Sequence, residues 1–169
     1  MPVLQIIVAD THMGQPGLPV AQWFGEHARE HAGFDVHIVN LAETDLEAAT
    51  VDAADAFVFV VPDTKRAGAA SKIFTDSADF QWLYKPRGVI SHGSRTGEAH
   101  ASTEVLALLG MTRIDQSIDI DDVAQRVEAG QFVATHAMDA SAQAMLDELW
   151  CLNPFLDALR AWASASQLA

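Results

Sequence analysis

A turn rich in glycine and polar side chains follows the first apolar run of the sequence. The run Leu4–Val8 gives way to "ADTHMGQPG", and an apolar-periodic segment begins near Pro19. Backbone N–H groups in a turn between a strand and a helix can bind an anion, and the helix N-terminus favours negative charge. We therefore expect this turn to bind a phosphate group, with the Thr11 hydroxyl as an added donor. The alternative is a plain turn built from Gly and Pro. The turn is neither a G-x-G-x-x-G nor a Walker A sequence, which argues against a Rossmann dinucleotide site and a nucleotide kinase.

Other polar side chains follow the ends of the predicted strands. Those expected at the same edge of a sheet are Asp10, His12, Asp63, Lys65, His92, Glu98 and His100. Imidazole and carboxylate groups together can ligate a divalent metal or transfer protons. No short-range ligand spacing such as H-E-x-x-H supports a metal, so this chemistry is the alternative and not the main prediction.

Further residues of chemical interest are expected to have structural roles. His27 and His31 stand four residues apart and could chelate, but near a helix C-terminus solvated histidines are the expected state. Cys151 lies in the apolar stretch "ELWCLNPF" without a second Cys or an adjacent base, so we expect a buried packing residue. Core or subunit contacts are expected of the tryptophans at amphipathic helix positions, which are Trp23, Trp82, Trp150 and Trp162.

Short apolar runs predict the strands that must position these groups. Leu4–Val8, Ala56–Val61 and Gly88–Ser91 do not alternate, as is typical of parallel strands covered on both faces. "FDVHIVNL", from Phe34, and "TRIDQSIDI", from Thr112, do alternate, which favours places nearer the sheet edges.

Helical patterns separate the strands. They are predicted over Pro19–His31, Ala69–Leu83, Ala99–Leu109 and Asp139–Ala163, the last split at Asn153–Pro154. Asp119–His136 is expected to form an excursion with a short helix and an extra edge strand. The alternation of strand and helix predicts a doubly wound α/β fold, with a five-stranded parallel sheet in the order 2-1-3-4-5.

Composition limits the class of protein. The 169 residues suit a single domain, residues 1–169, and the net charge of −13 makes nucleic acid an unlikely partner. The longest apolar run, "AFVFVVP", is too short to cross a bilayer, and the start has no basic region typical of a secretory signal. A single cysteine fits a reducing compartment. We expect a cytoplasmic protein that contacts neither nucleic acid nor membrane.

The stretch "IIVADTHMGQPGLPVAQWFGEHAREHAGFDVHIVNLAETDL" resembles the start of the NADPH-dependent FMN reductase family, which are relatives of flavodoxin. Gly17–Trp23 matches the family's helix entry "G-x-P-V-A-x-W", and the similarity continues in order and spacing over nearly the whole chain. The resemblance implies a flavodoxin-like three-layer sandwich with FMN as cofactor. NAD(P)H would be the hydride donor, and a quinone-like or other small molecule the electron acceptor. The flavin would carry the chemistry, so no side chain is assigned a catalytic role and no metal is expected.

The resemblance also implies which residues contact FMN. They are Thr11, His12, Met13, Gly14, Gln15, Gly17, Leu18, Pro19 and Val20 in the first loop and helix entry, Pro62, Asp63, Thr64 and Lys65 after the third strand, and Ser91, His92, Gly93 and Ser94 after the fourth. The sequence departs from the family after Pro62, where a Tyr and an Asn that border the flavin ring are missing. His12 and Gln15 stand where the family tends to carry Arg. These departures imply a degenerate site and looser FMN binding.

Two alternatives remain. The chain could be a flavin-free protein that reuses the crevice, as a binding site or a small enzyme built on His12, His92 and Asp63. It could instead be an acidic electron carrier of the flavodoxin type, working without NAD(P)H. The resemblance and the aromatic segment "DFQWLY" around Trp82 predict a homodimer held by helices near the binding edge.

Overall fold

The fold rests on a five-stranded parallel sheet in the order β2-β1-β3-β4-β5. The protein is described from a computed structural model that defines residues 1–10, 16–62, 82–93 and 111–166. The strands are β1 (Val3–Val8), β2 (Asp35–Asn40), β3 (Ala56–Pro62), β4 (Pro86–Gly93) and β5 (Thr112–Asp121). The predicted flavodoxin-like α/β architecture and strand order are confirmed.

Burial along the strands follows their position in the sheet. β1, β3 and β4 are buried almost throughout, whereas β2 and β5 alternate and form the edges. The pairing of β4 with β5 is irregular, because Arg87 pairs with Arg113 while Val89 pairs with Ser117. The backbone N–H groups of Asp115 and Gln116 in the bulged part of β5 donate to the Glu148 carboxylate at 2.8 and 3.1 Å.

Helices cover both faces of the sheet. α1 (Gly17–Glu30) and α3 (His136–Ser166) pack on one face, where Phe24 and Met145 join the core. α2 (Ala48–Ala53) lies on the other face with Trp82. Trp82 is fully buried, and its ring centroid lies 5.0 Å from that of Phe57. Trp82 therefore belongs to the core, and the expected dimer contact cannot rest on this side chain.

The connection after β5 forms a small separate unit. It consists of a 3₁₀ helix (Val123–Arg126) and a two-stranded antiparallel ribbon of β6 (Val127–Glu128) and β7 (Gln131–Phe132). The predicted short helix is confirmed, but the predicted extra edge strand is wrong. The ribbon instead packs on α1, with the rings of Phe132 and Trp23 5.2 Å apart.

α3 is one helix of 31 residues with Pro154 inside it, so the predicted break at Asn153–Pro154 is wrong. Asn153 and Leu156 are buried toward the sheet, whereas Pro154 is exposed. Proline removes the N–H that would bond the carbonyl of Trp150, four residues earlier. On the exposed side water can satisfy that carbonyl, and packing of the buried face holds the helix together.

Of the other two predicted helices, residues 99–109 and most of 69–83 lie outside the described residues. Leu83, at the end of the latter, lies in a turn. The structure contradicts two expectations about side chains. Cys151 is exposed, because it stands two residues from buried Leu149 and so faces away from the sheet. His27 and His31 are half-buried and paired instead of freely solvated, since their Nε2 atoms each lie 3.0 Å from a carboxylate of α3.

Candidate functional site

The carboxyl edge of the sheet brings Asp10 to the N-terminus of α1. Asp10 follows β1 and is 2% exposed. Its Oδ2 accepts the backbone N–H of Gly17, the first residue of α1, at 2.8 Å. A Cβ on residue 17 would lie 2.3 Å from that oxygen, so only glycine allows this approach. The positive end of α1 is thus already bonded to an anion of the chain itself.

His92, near the end of β4, completes this arrangement. Its Nε2 lies 3.4 Å from Oδ1 of Asp10 and, like Asp10, the side chain is almost fully buried. Within the described part of the chain neither of these two atoms has a hydrogen-bond partner. Buried polar atoms without partners are rare, and they indicate a place where a ligand or water would bond. Pro62, the last residue of β3, pairs with His92 in the sheet and borders the same place.

A second polar pair lies on the opposite face of the same edge. The Ser91 hydroxyl donates to Oδ1 of Asp119, which pairs with Ser91 in register between β4 and β5. Successive strand residues point to opposite faces, so Ser91 and His92 serve different sides of the sheet. Ser91 is buried and its hydroxyl is engaged.

The structure describes eight of the predicted FMN contacts, and Asp10 of the predicted polar group. Gly17, Pro62, His92 and Gly93 lie at the carboxyl edge. Val20 is fully buried in the core and Leu18 packs against it. Pro19 borders a cavity with Gln22, Trp23 and Phe132 on the side of α1. The eighth, Ser91, has been described above. Outside the described residues lie Thr11, His12, Met13, Gly14, Gln15, Asp63, Thr64, Lys65, Ser94, Glu98 and His100.

Two features of the edge were missed by the sequence reasoning. Asp10 had been grouped with the polar loop residues, but its bond to Gly17 was not anticipated. The signal was present in the sequence, since Asp10 directly follows a buried strand and Gly17 stands at a helix entry. Asp119 was also missed, although its place in the alternating run "TRIDQSIDI" puts it on the same face as Ser117. Among the residues that the structure defines, no cluster of three or more metal-ligating side chains occurs.

Two buried cations lie at the opposite, amino-terminal end of β4. The Nζ of Lys85 donates to the carbonyl oxygens of Val51 at 2.6 Å and Asp52 at 3.1 Å. Burial lowers the pKa of Lys85 to about 8, and the charge of Arg160 acts in the same direction. Burial also lowers the pKa of Arg87 to about 10. Lys85 and Arg160 border a cavity of about 270 Å³, and both already have partners, so we assign them a structural role.

No helix within the described ranges is long and apolar enough to cross a membrane.

Comparison with known proteins identifies the fold. No family model and no curated protein matches the chain. An oxidoreductase structure from Corynebacterium diphtheriae is 16% identical with a TM-score of 0.69, covering 90% of this chain and 97% of the other. An apo NADH:FMN oxidoreductase is 11% identical with a TM-score of 0.70, covering 89% of each chain. Two-electron reduced flavodoxin of Megasphaera elsdenii is 14% identical with a TM-score of 0.62, covering 86% of this chain and 99% of the flavodoxin. At these identities the likeness establishes the flavodoxin-like fold.

Proposed function

We propose that this chain is a flavin-dependent oxidoreductase of the cytoplasm, related to the NADPH-dependent FMN reductases. It takes hydride from NAD(P)H through FMN and reduces a quinone-like or other small acceptor. One observation carries the proposal. At the carboxyl edge of a flavodoxin-like sheet, the N-terminus of α1 meets two buried polar atoms, on Asp10 and His92, which lie 3.4 Å apart and form no hydrogen bond within the described chain. Ligands of open α/β sheets bind at this edge.

The two atoms suit the polar edge of a flavin ring. Oδ1 of Asp10 is an acceptor, and Nε2 of His92 donates or accepts according to its tautomer. A flavin ring presents both N–H and C=O groups, so it can satisfy both atoms. When bound, the flavin supplies hydride acceptance and electron transfer. Asp10 and His92 would orient the ring and exclude water from its polar edge.

The phosphate does not fit against Gly17. The N–H of Gly17 is taken by the Asp10 carboxylate, which would repel a phosphate at the same place. Two unit charges about 5 Å apart repel by roughly 3 kcal/mol at an effective dielectric constant of about 20. FMN must therefore place its phosphate on other donors, and we expect looser binding than a free helix N-terminus would give.

Titration with FMN, followed by flavin fluorescence and by calorimetry, tests the proposal. We expect purified protein to be largely colourless and to bind added FMN saturably. The loaded protein should then oxidise NAD(P)H with a small acceptor present. A protein that binds FMN but does not oxidise NAD(P)H would support the electron carrier instead. If saturating protein leaves the flavin signal unchanged, the reductase proposal fails.

A second candidate function is favoured by the Asp10 carboxylate itself. A buried carboxylate beside an imidazole can bind and orient a neutral or cationic ligand without any flavin. Of the residues that the sequence suggested for a flavin-free binding site or enzyme, the structure describes His92. It also shows Asp10 beside His92, with the facing atoms 3.4 Å apart. Lack of FMN binding, together with a change in the His92 NMR resonances on addition of a small polar ligand, would support this candidate.

A further inference from the structure

The C-terminal half of α3 carries a row of exposed apolar side chains. Cys151, Phe155, Leu159 and Trp162 follow one another at intervals of four, four and three residues, which places them on one face of the helix. Phe155 is 73% exposed, Leu159 45% and Trp162 68%, and Cys151 is also exposed. We call these four residues the apolar stripe.

The C-terminal half of α3 carries few charged side chains, although the protein is strongly acidic. The chain has a net charge of −13, yet between residues 149 and 165 the only charged side chains are Asp157 and Arg160. These two bond to each other at 3.2 Å, and Arg160 also reaches Asp55 at 3.5 Å. A helix face exposed to water is ordinarily rich in charged and polar residues. The composition of this face is instead that of a surface covered by another molecule.

The exposed apolar area is most of the apolar area that one side of a standard interface buries. From their exposed fractions, Phe155, Leu159 and Trp162 together present roughly 400 Å² of apolar surface. A standard interface buries about 800 Å² on each partner, of which about 56–65% is apolar. The apolar stripe thus supplies most of the apolar centre of one interface of standard size.

We propose that two copies of this chain pair through the apolar stripe about a two-fold axis. In such a contact the same patch serves both partners, so an uncharged stripe is complementary to itself and brings no like charges together. A basic partner would find no acidic side chain in the apolar stripe, so the stripe offers no charge complementarity to such a partner. Tyr84 lies at the margin, since its carbonyl accepts a bond from Arg160 and its side chain is 37% exposed. The proposal is independent of flavin binding.

Sedimentation velocity with the full chain tests this pairing. At micromolar concentration we expect about twice the chain mass of 18.2 kDa. The double variant Phe155→Glu and Leu159→Glu places four charges in the shared contact, and we expect its dimer dissociation constant to rise at least a hundredfold. Ala137→Glu with Ala140→Glu is the matched control, because it adds the same charges at exposed positions of α3 away from the apolar stripe. The control should remain dimeric.

Circular dichroism would verify that both double variants are folded. If the Phe155→Glu and Leu159→Glu variant does not fold, the milder Phe155→Ser variant replaces it in the test. The dimer dissociation constant of Phe155→Ser should rise by about tenfold or more. A wild-type protein that is still a monomer at roughly 100 µM would overturn the proposal. A dimer that persists in the folded variants would overturn it as well. A monomer that sediments with phosphatidylcholine–phosphatidylglycerol vesicles would assign the apolar stripe to a membrane instead.

Discussion

The backbone N–H of Gly17 lies 2.8 Å from Oδ2 of Asp10, so a carboxylate at the end of β1 holds the first residue of α1. The two residues are seven positions apart along the chain. The bond joins the strand to the helix at the edge where the candidate site lies. It also fixes how close the helix N-terminus comes to His92, whose Nε2 would be 3.0 Å from a Cβ on residue 17.

Gly17→Ala is expected to destabilise the protein, because its methyl group would lie 2.3 Å from Oδ2 and 2.9 Å from Cγ of the buried Asp10 side chain. Overpacking of this kind costs about 1–3 kcal/mol. Urea unfolding measures the change. Gly25→Ala, in the same helix, is the control, since there the new methyl meets chiefly the ends of the Ile38 and Arg29 side chains. The free energy of unfolding of Gly25→Ala should differ from that of the wild type by less than about 1 kcal/mol. If both variants lost the same free energy of unfolding, the tight packing at Gly17 would be contradicted.

The sheet could be predicted from the sequence because its strands differ in burial. Continuous apolar runs mark β1, β3 and β4, and alternating runs mark the edge strands β2 and β5. The course of α3 could not be predicted in this way. Local backbone preferences disfavour a helix before Pro154, but packing against the sheet outweighs that local cost.

The site was harder to predict than the fold, because its geometry depends on contacts between distant residues. Asp10 and His92 are 82 positions apart in the sequence and meet only because β1 and β4 end at the same edge. Their residue types suggested chemistry, but nothing local indicated that Asp10 would bond the helix N-terminus. The same holds for Trp82, which is buried in the core. An aromatic segment has the same sequence pattern whether its rings pack in the core or against a partner.

Asp139 is expected to be important for the packing of α1 on α3. Its Oδ1 lies 3.0 Å from both Trp23 Nε1 and His27 Nε2, and the indole N–H of Trp23 donates to this oxygen. Asp139→Ala should lower the free energy of unfolding by about 1–2 kcal/mol, since it removes two partly buried hydrogen bonds. Asp147→Ala, which breaks the more exposed pair with His31, should cost about half as much or less. Denaturant unfolding at pH 7 compares them, and a larger loss in Asp147→Ala would contradict this ranking.

Lys85 is expected to make stability rise with pH in the alkaline range. Its pKa is lowered from 10.5 to about 8, first by burial and then by the charge of Arg160. Below pH 8 the ammonium is charged in both states, so the cost of burying it is present in full. Between about pH 8 and 10.5 the unfolded chain binds more protons than the folded one, so the free energy of unfolding increases with pH.

The Lys85→Met variant isolates this contribution, because every other titrating group is shared with the wild type. Between pH 7 and pH 10, the free energy of unfolding of the wild type should rise by about 2 kcal/mol relative to that of the variant. Urea unfolding at several pH values in this range measures the difference. If the free energies of unfolding of the two proteins differ by the same amount at every pH in this range, Lys85 does not titrate as its burial implies.

Asp10→Asn is expected to weaken FMN binding under the proposed function. The amide oxygen of Asn still accepts the N–H of Gly17, so the turn keeps its shape, but an amide N–H group replaces Oδ1, the acceptor that would face the flavin ring. Losing one hydrogen bond to a charged acceptor should weaken binding by about tenfold, since such a bond contributes about 1.5 kcal/mol and each tenfold step corresponds to about 1.4 kcal/mol. Asp119→Asn is the matched control, because that carboxylate bonds Ser91 on the opposite face of the sheet. Fluorescence titration with FMN should show a larger dissociation constant for Asp10→Asn and little change for Asp119→Asn. Unchanged or tighter FMN binding by Asp10→Asn would contradict the contact between this carboxylate and the ring.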